Sequence, residues 1–77
     1  MEFQNKAERD YVKSHVERIA AKIRAARKAQ NITQEKLAEL TGVSVSMVKS
    51  IEGSQRAPSL PMLFKILYVL DRQAKIW

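Results

Sequence analysis

The chain has no cysteine among its 77 residues. That excludes a disulfide framework, a thiolate metal site and a cysteine nucleophile. A single histidine, His15, cannot build a zinc site, and on a helix beside Lys13, Ser14 and Glu17 it reads as a surface or interface residue. No apolar run approaches the ~20 residues of a membrane span. The start, MEFQNKAERD, lacks the apolar core of a signal peptide, so a cytoplasmic protein is expected. Two glycines and two prolines are present, and all four lie at or beyond Gly42. There is no glycine-rich phosphate loop, no Ser-His-Asp set and no paired carboxylate in a cleft, so the chain is not expected to be an enzyme or to need a cofactor.

What is present is helix-forming sequence and positive charge. Lys and Arg number 14 against 8 Asp and Glu, a net charge of +6. Residues 1–17 carry Lys6, Arg9 and Lys13 against Glu2, Glu8, Asp10 and Glu17, and are slightly acidic. The positive field therefore belongs to residues 18–77, and such a field draws in polyanions. Before Gly42 the chain is rich in Ala, Lys, Arg, Glu and Gln, all good helix formers. An all-α fold is expected.

The first helix is expected from about Asn5 to Gln30, with Val12, Val16, Ile19, Ile23 and Ala26 forming one stripe. At that length its first half projects, frays or packs on a partner. A break near Ser14–His15 is open, and Asn31 suits a helix stop because Asn tolerates the left-handed conformation. Thr33 caps a second helix that runs to about Thr41. Ser44 caps a third over Val45 to Glu52. Gly53 to Ala57 form a loop. Ser59 caps a fourth helix with Pro61 in its first turn and Leu60, Leu63, Phe64, Ile66, Leu67 and Leu70 on its apolar face. The final DRQAKIW continues that helix, forms a strand or is a tail. Three regions follow: an N-terminal helical extension over 1–18, a core domain over 19–70 and a C-terminal tail over 71–77.

The most informative window is Gln34 to Gly53, QEKLAELTGVSVSMVKSIEG. Two short helices meet there at a tight turn. Ala38 permits close approach, Gly42 makes the turn, and Leu37, Val43, Val48 and Ile51 share a core. The exposed positions of the second of these helices stay small or basic. This is the layout of a helix-turn-helix that reads the DNA major groove.

Residues 19–70 resemble the Xre-type, phage-repressor-like helix-turn-helix family. The resemblance rests on IRAARKAQNITQEKLAELTGVSVSMVKSIEGSQRAPSL: a Thr-Gln helix start, a Leu-Ala pair, Gly-Val-Ser at the turn, Ile-Glu closing the third helix and Pro-Ser opening the fourth. It implies a compact, four- to five-helix lambda-repressor-like domain. By the same resemblance Gln34 grips a DNA phosphate and braces the recognition helix, with Thr33 a lesser phosphate ligand. Ser44 contacts the backbone. Val45, Ser46, Lys49 and Ser50 meet base edges, and Gln55 and Arg56 hold the backbone of the same half-site. A free helix N-terminus suits the phosphate role, and lysine and serine suit base edges. Arg27 and Glu52 are implied to form an internal ion pair, which takes Arg27 off the list of DNA ligands.

The family usually places a glycine two residues after that glutamate. Here Gly53 comes one residue after Glu52 and Ser54 follows, so a positive φ has moved to Gly53 or is carried by Ser54. Many relatives also dimerise through a fifth helix, where this chain has Asp71–Trp77. The function implied is a sequence-specific regulator of transcription, a repressor acting as a homodimer on palindromic double-stranded DNA. Two dimer surfaces are open: Tyr11, Val12, Val16 and Phe3 on the extension, or Leu70, Ile76 and Trp77. The alternative is an antitoxin of the HipB type, which binds a toxin partner and represses its own operon. The fourth helix and a strand after it would carry that likeness.

Overall fold

The chain folds, in a computed structural model describing residues 2–74 and side chains as far as Asp71, as four helices in succession. These are α1 (Lys6–Ala29), α2 (Gln34–Thr41), α3 (Val45–Glu52) and α4 (Leu60–Ala74). No strand occurs among the described residues. The fold is all-α, with four helices among the described residues.

Side chains start each helix where the backbone has donors to spare. Asn5 accepts the Glu8 N–H at 2.8 Å, and the Glu8 carboxylate takes the Gln4 N–H at 3.1 Å. Thr33 accepts the Lys36 N–H at 2.9 Å, Ser44 that of Met47 at 3.0 Å, and Ser59 that of Met62 at 3.2 Å. Pro61 is tolerated one residue into α4 because its missing N–H falls within the first turn.

The helix ends are alike as well. Past α1, α2 and α3 one residue takes a left-handed conformation: Asn31 (φ 58°), Gly42 (φ 75°) and Ser54 (φ 63°). In each case the next N–H reaches back five residues: Ile32 to Arg27, Val43 to Ala38, and Gln55 to Ser50, at 3.3, 3.1 and 2.9 Å. This is the Schellman closure, which satisfies carbonyls the helix leaves free. Gly53 keeps φ −87°, so the positive φ left open by the sequence belongs to Ser54.

The core is built from Ile23 of α1, Leu37 and Ala38 of α2, Val48 and Ile51 of α3, and Ile66, Val69 and Leu70 of α4. Val43 packs against it from the turn. Thr41 is buried among them, and its hydroxyl donates to the Leu37 carbonyl at 2.8 Å, so that hydroxyl is not stranded.

Two expectations need correction. The buried residues of α1 are Ala20, Ile23 and Arg27, whereas Ile19 is 37% exposed. Ile23 is inward as expected and Ala26 packs against the core, but Ala20 takes the place expected for Ile19 and Arg27 is buried as well. On α4, Leu60, Phe64 and Leu67 face outward while Val69 faces in. This helix is apolar on more of its circumference than the domain covers.

α1 is unbroken through Ser14 and His15. Its 24 residues span about 36 Å at 1.5 Å each, most of the 41 Å long dimension of the molecule. Burial begins only at Ala20, so the preceding turns extend beyond the core. α4 continues through Ala74, which makes 71–74 helix. Leu70 is buried in the core of its own domain, 3% exposed. Ile76 and Trp77 lie outside the described residues.

Candidate nucleic-acid interface

α2 and α3 form the helix-turn-helix unit. Ala38, nearly fully buried, lets the two backbones close up, and Gly42 turns the chain between them. Val48, Ile51 and Glu52 point α3 inward, so its opposite side faces solvent. Ser46 and Lys49 are exposed there. Ser50 is half-buried, and Val45 and Met47 are half-buried and packed against the core.

The orientation of α3 is fixed at its far end. The Glu52 carboxylate, 2% exposed, receives Arg27 Nε on Oε2 at 2.7 Å and Arg27 Nη2 on Oε1 at 2.9 Å. Two parallel charge-assisted bonds hold both planar groups in one plane. Gln34 Nε2 adds a third bond to Oε1 at 3.2 Å. Arg27 Nη1 also donates to the Ile32 carbonyl at 2.9 Å. Arg24 Nη1 donates to the Glu52 main-chain carbonyl at 2.6 Å. The Glu52 carboxylate thus ties α3 to α1 and α2, and Arg27 in turn holds the loop after α1. The hydrogen bond that Arg27 donates to the Glu52 carboxylate raises the Arg27 pKa above the ordinary arginine value; burial opposes this, and the charges of Glu52 and Glu35 assist it.

Around α3 the structure gathers the other residues that the sequence singles out. Thr33 and Ser44 are exposed at the starts of α2 and α3. Each hydroxyl accepts its capping bond and keeps its own proton to donate. Gln34 is half-buried in the first turn of α2. After α3 the N–H groups of Gln55 and Arg56 both return to the Ser50 carbonyl, at 2.9 and 3.2 Å. That fastens the loop to the helix and leaves the side chains of Gln55 and Arg56 exposed. Arg56 also lines a shallow cavity of about 300 Å³ with Met47, Pro58 and Met62. Arg24 was not anticipated by the sequence reading, although it precedes Arg27 by one helical turn and so shares its face.

Among the described residues no cluster of metal-ligating side chains occurs, and no helix is long and apolar enough to cross a membrane. The four helices define a helix-turn-helix domain. The helix-turn-helix family model HTH_3 matches residues 23–75. The chain belongs to that family, the Xre and lambda-repressor-like group, whose members bind double-stranded DNA to regulate transcription and are not typically enzymes. No curated protein and no solved structure matches the chain.

Proposed function

We propose that this chain is a sequence-specific repressor that binds a palindromic operator as a homodimer, with α3 of each copy in the major groove. The observation that carries the reading is the two-sided character of α3. Its inner side is locked through Glu52 to α1 and α2, while its outer side offers Ser46 and Lys49 to solvent. A reading helix needs that combination, because base-edge hydrogen bonds demand a fixed register.

In this reading Lys49 donates to guanine O6 and N7, Ser46 and Ser50 bond to base edges, and Val45 touches a thymine methyl. Val45 shares itself with the core and makes the smallest contribution. Gln34, Thr33 and Ser44 hold phosphates at the two helix starts, where free N–H groups favour an anion. Gln55 and Arg56 grip the backbone on the far side. One α3 covers only a few base pairs, so two copies about one helical turn apart supply the specificity. The role places the protein in the cytoplasm, at the nucleoid, and calls for no cofactor.

Selection of bound DNA from a random duplex library tests this. The wild-type chain is expected to enrich one palindromic motif. Lys49→Ala and Ser46→Ala are expected to change the preferred base at single positions of each half-site. Enrichment of no motif overturns the reading.

A further inference from the structure

α4 carries more apolar surface than its own domain uses. Ile66, Val69 and Leu70 turn inward, while Leu60, Phe64 and Leu67 are 70%, 63% and 40% exposed. Steps of four and three place those three on one strip, the spacing of a helix-pairing seam. Beside the strip lies an apolar groove of about 430 Å³ between α1 and α4. Its floor is Ile19, Ile23 and Ala26 from one side and Leu63, Leu67 and Leu70 from the other. No residue of α2 or α3 lines it, so an occupant leaves the outer face of α3 free.

The margin of the groove is polar and unsatisfied. It holds Lys22, Gln30 and Asp71. Among the described residues neither Lys22 nor Asp71 has an ion-pair partner, and Gln30 Oε1 is a buried acceptor with no hydrogen bond. Contiguous exposed apolar surface rimmed by such groups marks an interaction site.

We infer that this groove seats a second copy of the chain, with the Phe64–Leu67 strip of each copy entering the α1–α4 groove of the other about a two-fold axis. The inference rests on the homodimeric reading above and names the surface that makes the dimer. A two-fold contact brings one patch against itself, so the patch must be self-complementary. One cation and one anion on the same margin meet that condition: Lys22 of each copy faces Asp71 of the other, twice over. A nucleic acid would need a basic, polar floor instead. The projecting start of α1 is not required.

Sedimentation equilibrium of the full chain, alone and with the selected duplex, tests the surface. The wild type is expected to dimerise. Leu67→Glu, on an exposed position, is expected to weaken dimerisation by at least about tenfold, with an unchanged melt at concentrations low enough for both chains to be monomeric. Lys22→Asp and Asp71→Lys are each expected to weaken it, and the doubly reversed chain to recover it. A wild-type dimer that survives Leu67→Glu and both charge reversals uses another face; it overturns this inference and leaves the DNA reading standing. A chain that stays monomeric even on palindromic DNA overturns the dimer and the groove together. A chain that dimerises as described but selects no DNA supports the groove and overturns the regulator reading alone.

Discussion

Arg27 of α1 and Glu52 at the end of α3 form a bidentate ion pair inside the protein, with N···O distances of 2.7 and 2.9 Å. The pair is almost wholly shielded, with side chains 10% and 2% exposed. Removing one member of such a pair leaves the other charge buried and uncompensated, which costs more than the pair itself contributes. Glu52→Gln is therefore expected to destabilise the fold by about 3 kcal/mol, read from urea melts. Arg27→Met should cost at least as much, since Arg27 also holds the Ile32 carbonyl. The double variant, with no charge left behind, should cost less than the two losses added together. Strict additivity would show that the two groups do not depend on each other.

The helix-turn-helix was legible in the sequence because local chemistry dictates it. Thr33, Ser44 and Ser59 cap helices by forming short-range bonds, and Asn31 and Gly42 end them by tolerating positive φ. These signals act within a few residues, and the helices fall where they point. Which way a helix faces is a long-range matter. Apolarity alone placed Ile19 and Phe64 inward. The structure keeps Ile23 and Ile66 in, as expected, but adds Ala20 and Val69 and turns Ile19 and Phe64 out, because α1 packs on α3 and α4, and α4 on α2 and α1, along one narrow side only. Arg24 escaped notice for the same reason: its partner, the Glu52 carbonyl, lies 28 residues away.

The three left-handed closures make a second prediction. Gly42 occupies its closure without strain, whereas Ser54 sits at φ 63° with a side chain. A residue with a Cβ pays roughly 1 kcal/mol there. Ser54→Gly is expected to raise stability by up to about 0.5 kcal/mol, after the greater freedom of glycine in the unfolded chain is subtracted. Gly42→Ala should lower it by about 1 kcal/mol. Space is not the obstacle at Gly42, since the nearest atom to an added Cβ is the flexible Lys65 Nζ at 3.6 Å. A neutral result for both in calorimetry would mean that the closures relax without strain.

Ser44 has two roles that one substitution separates. Its hydroxyl caps α3 by accepting the Met47 N–H at 3.0 Å, and in the proposed complex it donates to a phosphate. Aspartate caps helices as well as serine does, but carries a charge that repels the phosphate. Ser44→Asp should leave the melting temperature unchanged or raised, and should weaken DNA binding by tenfold or more, on the order of 1.4 kcal/mol. Ser44→Ala should instead cost about 1 kcal/mol of stability with a smaller loss of affinity. Undiminished DNA binding by the aspartate variant would remove Ser44 from the interface.

Lys49 and Arg56 are both exposed cations beside the same surface, yet the reading gives them different work. Arg56, tied by its main chain to the Ser50 carbonyl at 3.2 Å, is placed on the phosphate backbone. Arg56→Ala should weaken binding to every duplex alike and reduce the slope of log affinity against log salt by about 1, one counterion fewer being released. Lys49→Ala should weaken binding to the selected operator by about 1–3 kcal/mol and binding to unrelated DNA far less, because a base contact discriminates sequences. Fluorescence anisotropy titrations at several salt concentrations, on operator and scrambled duplexes, distinguish the two. If Lys49→Ala lowers both affinities equally and flattens the salt slope, Lys49 grips a phosphate, and base reading falls to Ser46, Ser50 and Val45.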